Sequence, residues 1–163
     1  MSIELYKPKQ TIPYSVEQLN VLCKPEAIEP GDFLEDDWLD SRYGIFYVRD
    51  SVPVGVAFCS VRGGDEVEKH LALHVLCVSQ TERKSGVGSK LLKEVNDLTR
   101  SLGLNSIRIS AIANQLSFYK KNGFVMIEPE DEEGMYYVMK KTLAGGRRRK
   151  KTRRNRKHTR RSE

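Results

Sequence analysis

The chain has 163 residues, 39% of them hydrophobic, which is enough for one globular domain with a buried core. Its formal net charge of +6 comes from one segment, because residues 145–163 carry 11 of the 28 Lys and Arg and a single acidic residue. No apolar run approaches the ~18 residues of a membrane span, and the N-terminus lacks the apolar block of a signal peptide. Three well-separated cysteines without a CxxC motif (Cys23, Cys59 and Cys77) predict reduced, buried thiols in an intracellular protein, cytoplasmic or nuclear.

The first half of the chain changes from a helical period to a period of two. Its predicted elements are, in order, a strand at 2–6, a helix from Ser15 to about Cys23, a helix at 32–40, a hairpin of strands 44–50 and 54–61, and a strand at 70–78. Strands, helices and hairpins in this order are typical of a mixed α/β domain.

The second half begins with a long amphipathic helix and ends in a basic segment. Its predicted elements are that helix up to Gly103, a strand at 105–112, a short helix capped by Asn114 and ended by Asn122-Gly123, and strands at 124–127 and 135–141. From Gly145 onward nothing apolar remains to be buried. We therefore expect a folded domain at residues 1–143, followed by a disordered, strongly basic tail at 144–163.

Two glycines precede the amphipathic helix in the stretch Arg83-Lys84-Ser85-Gly86-Val87-Gly88. A P-loop is excluded because Lys90 follows Ser89 in the wrong order and no glycine lies five residues before Gly88. A dinucleotide fingerprint is excluded because position 91 is leucine. The pattern Arg-x-x-Gly-x-Gly between a strand and a helix remains, and it predicts backbone amides at the positive end of a helix dipole, where a pyrophosphate binds.

This stretch, Asn114 and the motif FYKKNGF at 118–124 together resemble the GNAT superfamily of acetyl-CoA-dependent N-acetyltransferases. The resemblance covers residues 1–143 in element order, and its specific motifs lie within 70–124. It implies an α/β (α+β) fold with a mixed, largely antiparallel sheet of six to seven strands, a splayed central pair and helices on both faces.

The resemblance also implies an acetyl-CoA site, with no metal. The backbone from Arg83 to Ser89 would hold the pyrophosphate, while the main chain of Cys77 and Val78, together with Asn114, would contact the pantetheine arm. Lys84 and Lys90 could assist near the phosphates. The predicted cofactor-binding residues are Cys77, Val78, Arg83, Lys84, Ser85, Gly86, Val87, Gly88, Ser89 and Asn114.

Acetyl transfer needs a neutral amine, a held oxyanion and a proton for the leaving thiolate. Tyr119 matches the position of the family's general acid. The alternative is that Tyr119 is only an aromatic side chain packed in the core. The amide of Val78 would hold the oxyanion. Ala72 stands where some family members have a glutamate base, so we expect His74, on the same strand face as Ala72 and Val78, to take the amine proton.

Other roles remain open for the two histidines of this strand. His74 could instead be a satisfied core histidine. His70, which shares its face, could extend a proton relay. A metal site on the two is poorly supported, because no third ligand lies within motif spacing.

Two acidic clusters flank the expected acceptor groove. They predict a basic acceptor: a lysine-rich peptide, a basic N-terminus or a polyamine. Ordinary charged surface and a contact with the protein's own tail are the alternatives. The predicted substrate-binding residues are Glu35, Asp36, Asp37, Glu132, Glu133 and Tyr136.

The tail suggests a second function. Residues 147–161 would bind nucleic acid or another polyanion by counterion release, or an import receptor. The first hypothesis is therefore an N-acetyltransferase that moves acetyl from acetyl-CoA directly to a primary amine. The alternative is a CoA-sensing, catalytically weak domain that binds polyanions through its tail.

Overall fold

The computed structural model describes residues 1–23, 39–129 and 136–144. The predicted helix at 32–40, apart from its last two residues, lies outside this range, as do the acidic segment 130–133 and the basic segment 147–161. Among the described residues, no helix has the length and apolar character needed to cross a membrane.

The described residues form seven strands and three α-helices. They are β1 (Ser2–Tyr6), α1 (Val16–Cys23), β2 (Tyr43–Arg49), β3 (Val52–Arg62), β4 (His70–Val78), α2 (Val87–Ser101), β5 (Ser106–Ile112), α3 (Leu116–Lys121), β6 (Val125–Pro129) and β7 (Tyr136–Thr142). Short 3₁₀ turns at Gln80–Glu82 and Ala113–Gln115 precede α2 and α3. The predicted mixed α/β class is confirmed.

The start of α1 and the end of α2 lie where the sequence predicts them. Ser15 accepts the amide of Gln18 at 3.2 Å through its Oγ, and the Gln18 side chain accepts the amide of Ser15 at 2.9 Å, which is a capping box. At the end of α2, Gly103 adopts a φ of +72°, and Leu104 donates its amide back to the Thr99 carbonyl. Local side-chain chemistry therefore fixes both boundaries.

The hairpin turn is shorter than predicted. β2 and β3 are joined by Asp50 and Ser51 alone, and both residues have positive φ values of +51° and +63°. Such two-residue turns match the twist of antiparallel strands, which is why β3 begins at Val52 rather than at Val54.

One sheet carries the helices on its two faces. The strand order is β1-β2-β3-β4-β5-β7-β6, and β4 and β5 are the one parallel pair in the described sheet. Leu19 and Leu22 of α1 are buried on one face together with Phe46 and Phe58. The buried side of α2 lies on the other face, in a separate cluster of apolar side chains. The predicted sheet and the helices on both faces are confirmed.

The parallel pair separates early. β4 and β5 are paired only from Leu71 to Leu73, opposite Ile107 to Ile109, although β4 continues to Val78 and β5 to Ile112. The predicted splay of the central strands is therefore present, and a gap opens beyond Leu73.

One extra residue interrupts β4 just where the gap begins. On β3, Phe58 pairs with Val75 and Cys59 pairs with Leu73, so His74 is the extra residue of a β-bulge in this ladder. The bulge changes the alternation of side chains. Val78 packs with the α2-side cluster, whereas His74 reaches Ser60 on the α1 face. The expectation that His74 shares a face with Val78 was wrong, because it assumed an uninterrupted strand.

Two of the three cysteines are bonded to each other. Cys23 at the end of α1 and Cys77 in β4 form a disulfide with their Cα atoms 5.2 Å apart, and Cys59 is a buried free thiol. The expectation of three reduced thiols was wrong for this pair. The packing of α1 on β4 brings together residues 54 positions apart, and spacing along the sequence does not reveal such a contact.

The buried side of α2 should dominate the stability of the domain. Val95 is 0% exposed in α2, and Val21 is 67% exposed in α1. We expect Val95→Ala to lower the free energy of unfolding by about 2 kcal/mol, through lost apolar burial and a cavity. The matched Val21→Ala should change it by less than about 0.5 kcal/mol. Urea unfolding measures both, and equal effects would contradict the assigned burial.

Candidate active site

The gap between β4 and β5 opens into a cavity of about 700 Å³. Its walls come from the ends of α1 and β4, the turn before α2, and the start of α3. The residues that line it are Leu22, Cys23, Leu76, Cys77, Val78, Glu82, Arg83, Lys84, Gly86, Gly88, Ser89, Asn114, Gln115, Phe118 and Tyr119. The structure thus brings Tyr119 together with most of the predicted cofactor-binding residues.

Two predicted cofactor-binding residues, Ser85 and Val87, do not line this cavity within the described part of the chain. The Ser85 hydroxyl donates to the Glu82 carbonyl at 2.5 Å, so it stabilises the turn itself. Val87 is 3% exposed and packs into the α2-side core. Their backbone amides remain part of the turn, but their side chains have structural roles.

The turn before α2 needs its glycines for two different reasons. Gly86 has a φ of +87°, which L side chains rarely adopt. At Gly88 a Cβ would meet the Phe118 ring at 3.1 Å, so a side chain there would narrow the cavity. The first backbone hydrogen bond of α2 runs from the amide of Lys90 to Gly86 O, at 3.0 Å. The amides of the preceding helical residues are therefore left for a ligand, at the positive end of the helix dipole.

The same turn is anchored to β2 by contacts that the motif did not reveal. The Glu82 carboxylate is 10% exposed and forms a bidentate ion pair with the Arg49 guanidinium. Lys90 donates to the Tyr47 hydroxyl at 3.2 Å and lies over that ring, so its ammonium is already engaged. Glu82 was missed because its partner lies 33 residues away in the sequence.

The main chain of β4 offers two residues to the gap. The Ser79 amide donates to Val54 O at 2.9 Å, which sets the alternation of the β3–β4 ladder. By that alternation Cys77 directs its N–H and C=O toward β3, whereas Leu76 and Val78 direct theirs toward the gap. The expectation for Val78 agrees with this geometry, and Leu76 rather than Cys77 supplies the second main-chain partner.

The far end of the cavity is formed by the segment that follows β5. Asn114 lies in the 3₁₀ turn and lines the cavity, but the helix cap is Gln115, without a side-chain cap bond. Asn114 therefore does not cap α3 as the sequence suggested.

Tyr119 is packed among aromatic rings and also reaches the cavity, so its position fits either of the two roles predicted for it. It is 4% exposed, and its ring contacts Phe118 and Phe124 edge-on at centroid distances of 5.1 and 5.5 Å. It also lines the cavity. Burial raises the pKa of Tyr119 well above its usual range, so the hydroxyl keeps its proton and can donate it.

His74 lies outside the cavity lining of the described residues. Its Nε2 is 2.7 Å from the Ser60 hydroxyl. His74 is an exposed residue, but partial desolvation of its ring, reinforced by the charges of Arg42 and Arg62, lowers the pKa of His74 to about 4. The imidazole is therefore neutral at neutral pH but weakly basic, which is less favourable for proton abstraction than the expected value near ~6.5.

The predicted acceptor residues are mostly outside the described range. Glu35, Asp36, Asp37, Glu132 and Glu133 all fall there. Tyr136 starts β7 opposite Ile112, and since Met139 faces the α2-side core, alternation puts Tyr136 on the α1 face. The described residues contain no cluster of three or more side chains suited to hold a metal ion.

Comparisons with known proteins agree with this geometry. A family model described as an acetyltransferase (GNAT) domain matches residues 11–143. No curated protein matches the sequence. Among solved structures, the NatC complex bound to Gag peptide and CoA has a TM-score of 0.63 at 16% identity, covering 88% of this chain and 100% of that chain.

Two further structures have the same fold. Naa50 from Arabidopsis thaliana, in complex with the bisubstrate analogue CoA-Ac-MVNAL, has a TM-score of 0.61 at 22% identity and covers 88% of this chain and 100% of that chain. A GNAT family acetyltransferase from Elizabethkingia anophelis with acetyl-CoA bound has a TM-score of 0.57 at 18% identity, covering 87% and 97%.

The low pKa of His74 makes a prediction for stability. The unfolded imidazole titrates near ~6.5 and the folded one near about 4, so the unfolded state binds the extra proton and stability falls as the pH falls through this window. We expect His74→Gln, which can keep a hydrogen bond to Ser60, to reduce this acid sensitivity and to leave the slope above pH ~7 unchanged. Urea unfolding from pH 8 to pH 4 measures it, and parallel curves for the two proteins would contradict it.

Proposed function

The chain belongs to the GNAT acetyltransferase family, and on that premise we propose that it transfers an acetyl group from acetyl-CoA directly to a primary amine of a basic acceptor. The observation that carries the proposal is the cavity at the β4–β5 gap, which joins the glycine turn, Asn114 and Tyr119. Direct transfer places the amine and the thioester in one site, so no acyl-enzyme is needed.

Acetyl-CoA suits the donor groups of this cavity. The turn from Arg83 to Ser89 supplies amides at the start of α2 for the pyrophosphate, and both ends of the turn are anchored to β2 before a ligand arrives. Gly88 leaves room beside Phe118. Leu76 and Val78 turn main-chain groups toward the gap, where an extended pantetheine arm would pair as an added strand.

Tyr119 supplies the proton for the leaving thiolate. Its raised pKa keeps the hydroxyl protonated but also makes it a weaker acid than a free tyrosine. Transfer to a thiolate, whose conjugate acid has a pKa near ~8.5, is therefore uphill and requires direct contact between the two groups in the cavity. The amide of Val78, directed into the gap, holds the oxyanion that develops on the acetyl group.

The weak basicity of His74 limits the range of amines that can act as the acceptor. A lysine amine has a pKa near ~10.4 and needs a strong base, whereas an N-terminal α-amine has a pKa near ~7.7–8.0 and is partly neutral in cells. The α-amine of a peptide is therefore a better acceptor for this site than a lysine side chain or a polyamine. NatC was solved with a peptide and Naa50 with a peptide-based bisubstrate analogue, which supports this choice.

The preference for a basic acceptor rests on the acidic residues at 35–37 and 130–133 of the sequence. The described residues beside His74 contribute positive charge instead, from Arg42 and Arg62. A comparison of the rates for acidic and basic peptides therefore tests the role of the acidic residues at 35–37 and 130–133, which lie outside the described residues.

Tyr119→Phe tests the catalytic assignment. We expect kcat to fall about 10²- to 10⁴-fold, the usual contribution of a general acid, while the thermal shift produced by acetyl-CoA stays the same. Tyr43→Phe is the control, because Tyr43 packs against the same core without lining the cavity. If Tyr119→Phe retains full turnover, Tyr119 is only a packing residue.

The acceptor is tested with matched peptides. One set has a free N-terminus and no lysine, and the other has a blocked N-terminus and one lysine, each in basic and acidic versions, with spermidine alongside. At pH 7.5 we expect the free α-amine to react about 200- to 300-fold faster than the lysine, in line with their neutral fractions, and basic peptides to react faster than acidic ones. Acetyl-CoA consumption and product mass measure the rates.

The outcome also separates the two functions inferred from the sequence. Stabilisation by acetyl-CoA with no acetylation of any amine would favour the CoA-sensing protein that binds polyanions through residues 147–161. A faster reaction with lysine would overturn the α-amine assignment.

A further inference from the structure

A disulfide forms part of the wall of the acetyl-CoA cavity. Cys23 ends α1, Cys77 lies in β4, and both half-buried residues line the cavity that also contains Tyr119. The third cysteine differs from this pair. Cys59 is 0% exposed in the α2-side core, and burial raises the pKa of its thiol well above the usual range.

The product of the proposed reaction carries the group that reacts with a disulfide. After transfer of the acetyl group, coenzyme A ends in a free thiol of pKa near ~8.5. That thiol is released in the cavity that the Cys23–Cys77 bond lines, next to Leu76 and Val78, whose main chain would guide the pantetheine arm. Confinement of two reactants in one cavity raises their effective concentration far above that in solution.

We propose that the Cys23–Cys77 disulfide is a modification site for coenzyme A, which forms a mixed disulfide with one of the two cysteines. This inference rests on the proposed function, because it requires coenzyme A to bind in the cavity. It adds a covalent reaction that is separate from acetyl transfer and needs no reagent other than the product thiol.

The exchange balances without an external oxidant. The CoA thiolate attacks one sulfur of the pair and forms a new S–S bond, while the Cys23–Cys77 bond breaks. The second cysteine leaves with the electron pair and takes up the proton that the CoA thiol lost. The CoA sulfur is oxidised, one cysteine sulfur is reduced, and the protein gains one CoA without losing an atom.

Two consequences follow from the position of the bond. The attached CoA fills the cavity that acetyl-CoA needs, so the modified protein is inactive until another thiol releases it. The bond between α1 and β4 is also lost, which frees the end of α1 beside the cavity. Accumulated product would therefore switch off its own formation.

The experiment uses the full chain purified without reductant. A thiol titration of the denatured protein should find one free thiol of the three cysteines. The protein is then incubated anaerobically with CoA, with glutathione at equal concentration, or with acetyl-CoA, and intact mass is followed with time. We expect the CoA adduct to form at least about tenfold faster than the glutathione adduct, a ratio that ~1.4 kcal/mol of specific binding provides.

The controls separate the cavity from general thiol chemistry. Acetyl-CoA has no free thiol and should give no adduct, and in excess it should slow the adduct formed by CoA. Cys23→Ser and Cys77→Ser remove the disulfide and should each abolish the adduct, whereas Cys59→Ala should retain it. Peptide mapping should place CoA on Cys23 or Cys77, and dithiothreitol should release it.

Failure of this inference and failure of the proposed function give different results. Three free thiols in the titration of the denatured protein, or equal rates of adduct formation with CoA and glutathione, would overturn the modification site. A missing thermal shift with acetyl-CoA would instead overturn the proposed function. If acetyl-CoA gives a clear thermal shift but CoA and glutathione form adducts at equal rates, the modification site is rejected and the proposed function is not.

Discussion

The parting of β4 and β5 is the constraint on which the site depends. Pairing stops at Leu73 and Ile109, and from there the facing edges of the two strands no longer bond to each other in the middle of the sheet. Val78 O accepts from Arg83 Nε at 3.3 Å instead. Such an edge is costly unless a ligand or another segment satisfies it. The bulge at His74 begins at the same level and re-aims the last residues of β4, so that Val78 faces the α2 side. The gap is therefore a regular feature of the sheet, and the main-chain amides of Leu76 and Val78 are directed into it.

The environments of the two titratable groups assigned to catalysis make them act differently. Burial keeps Tyr119 protonated and so preserves a donor. Partial desolvation and two nearby guanidinium groups lower the pKa of the exposed His74, which keeps it neutral and weakly basic. The proposed pairing of a protected acid with a weak base would suit an acceptor that is already partly deprotonated, and this is how the proposal links the choice of amine to the charges around His74.

Local chemistry explains what the sequence predicts well. The capping box at Ser15, the left-handed Gly103 and the glycine turn at Gly86 each depend on neighbours within a few residues. The bulge at His74 has no such signature, and missing it reversed the assigned face of one side chain. The ion pair of Glu82 with Arg49 and the disulfide of Cys23 with Cys77 join residues 33 and 54 positions apart, and only the packed fold brings them together.

Contacts with β2 hold the strained backbone of the glycine turn in place. Lys84 is a non-glycine residue with a φ of +63°, a conformation that costs about 1 kcal/mol or more. Glu82 before it and Lys90 after it are held by Arg49 and Tyr47, which lie two residues apart on β2. With both ends held by one strand, the turn has little freedom to relax, which would keep its amides in place for the pyrophosphate of the proposed cosubstrate. Binding then needs little further ordering, so more of the interaction energy remains as affinity for the cosubstrate.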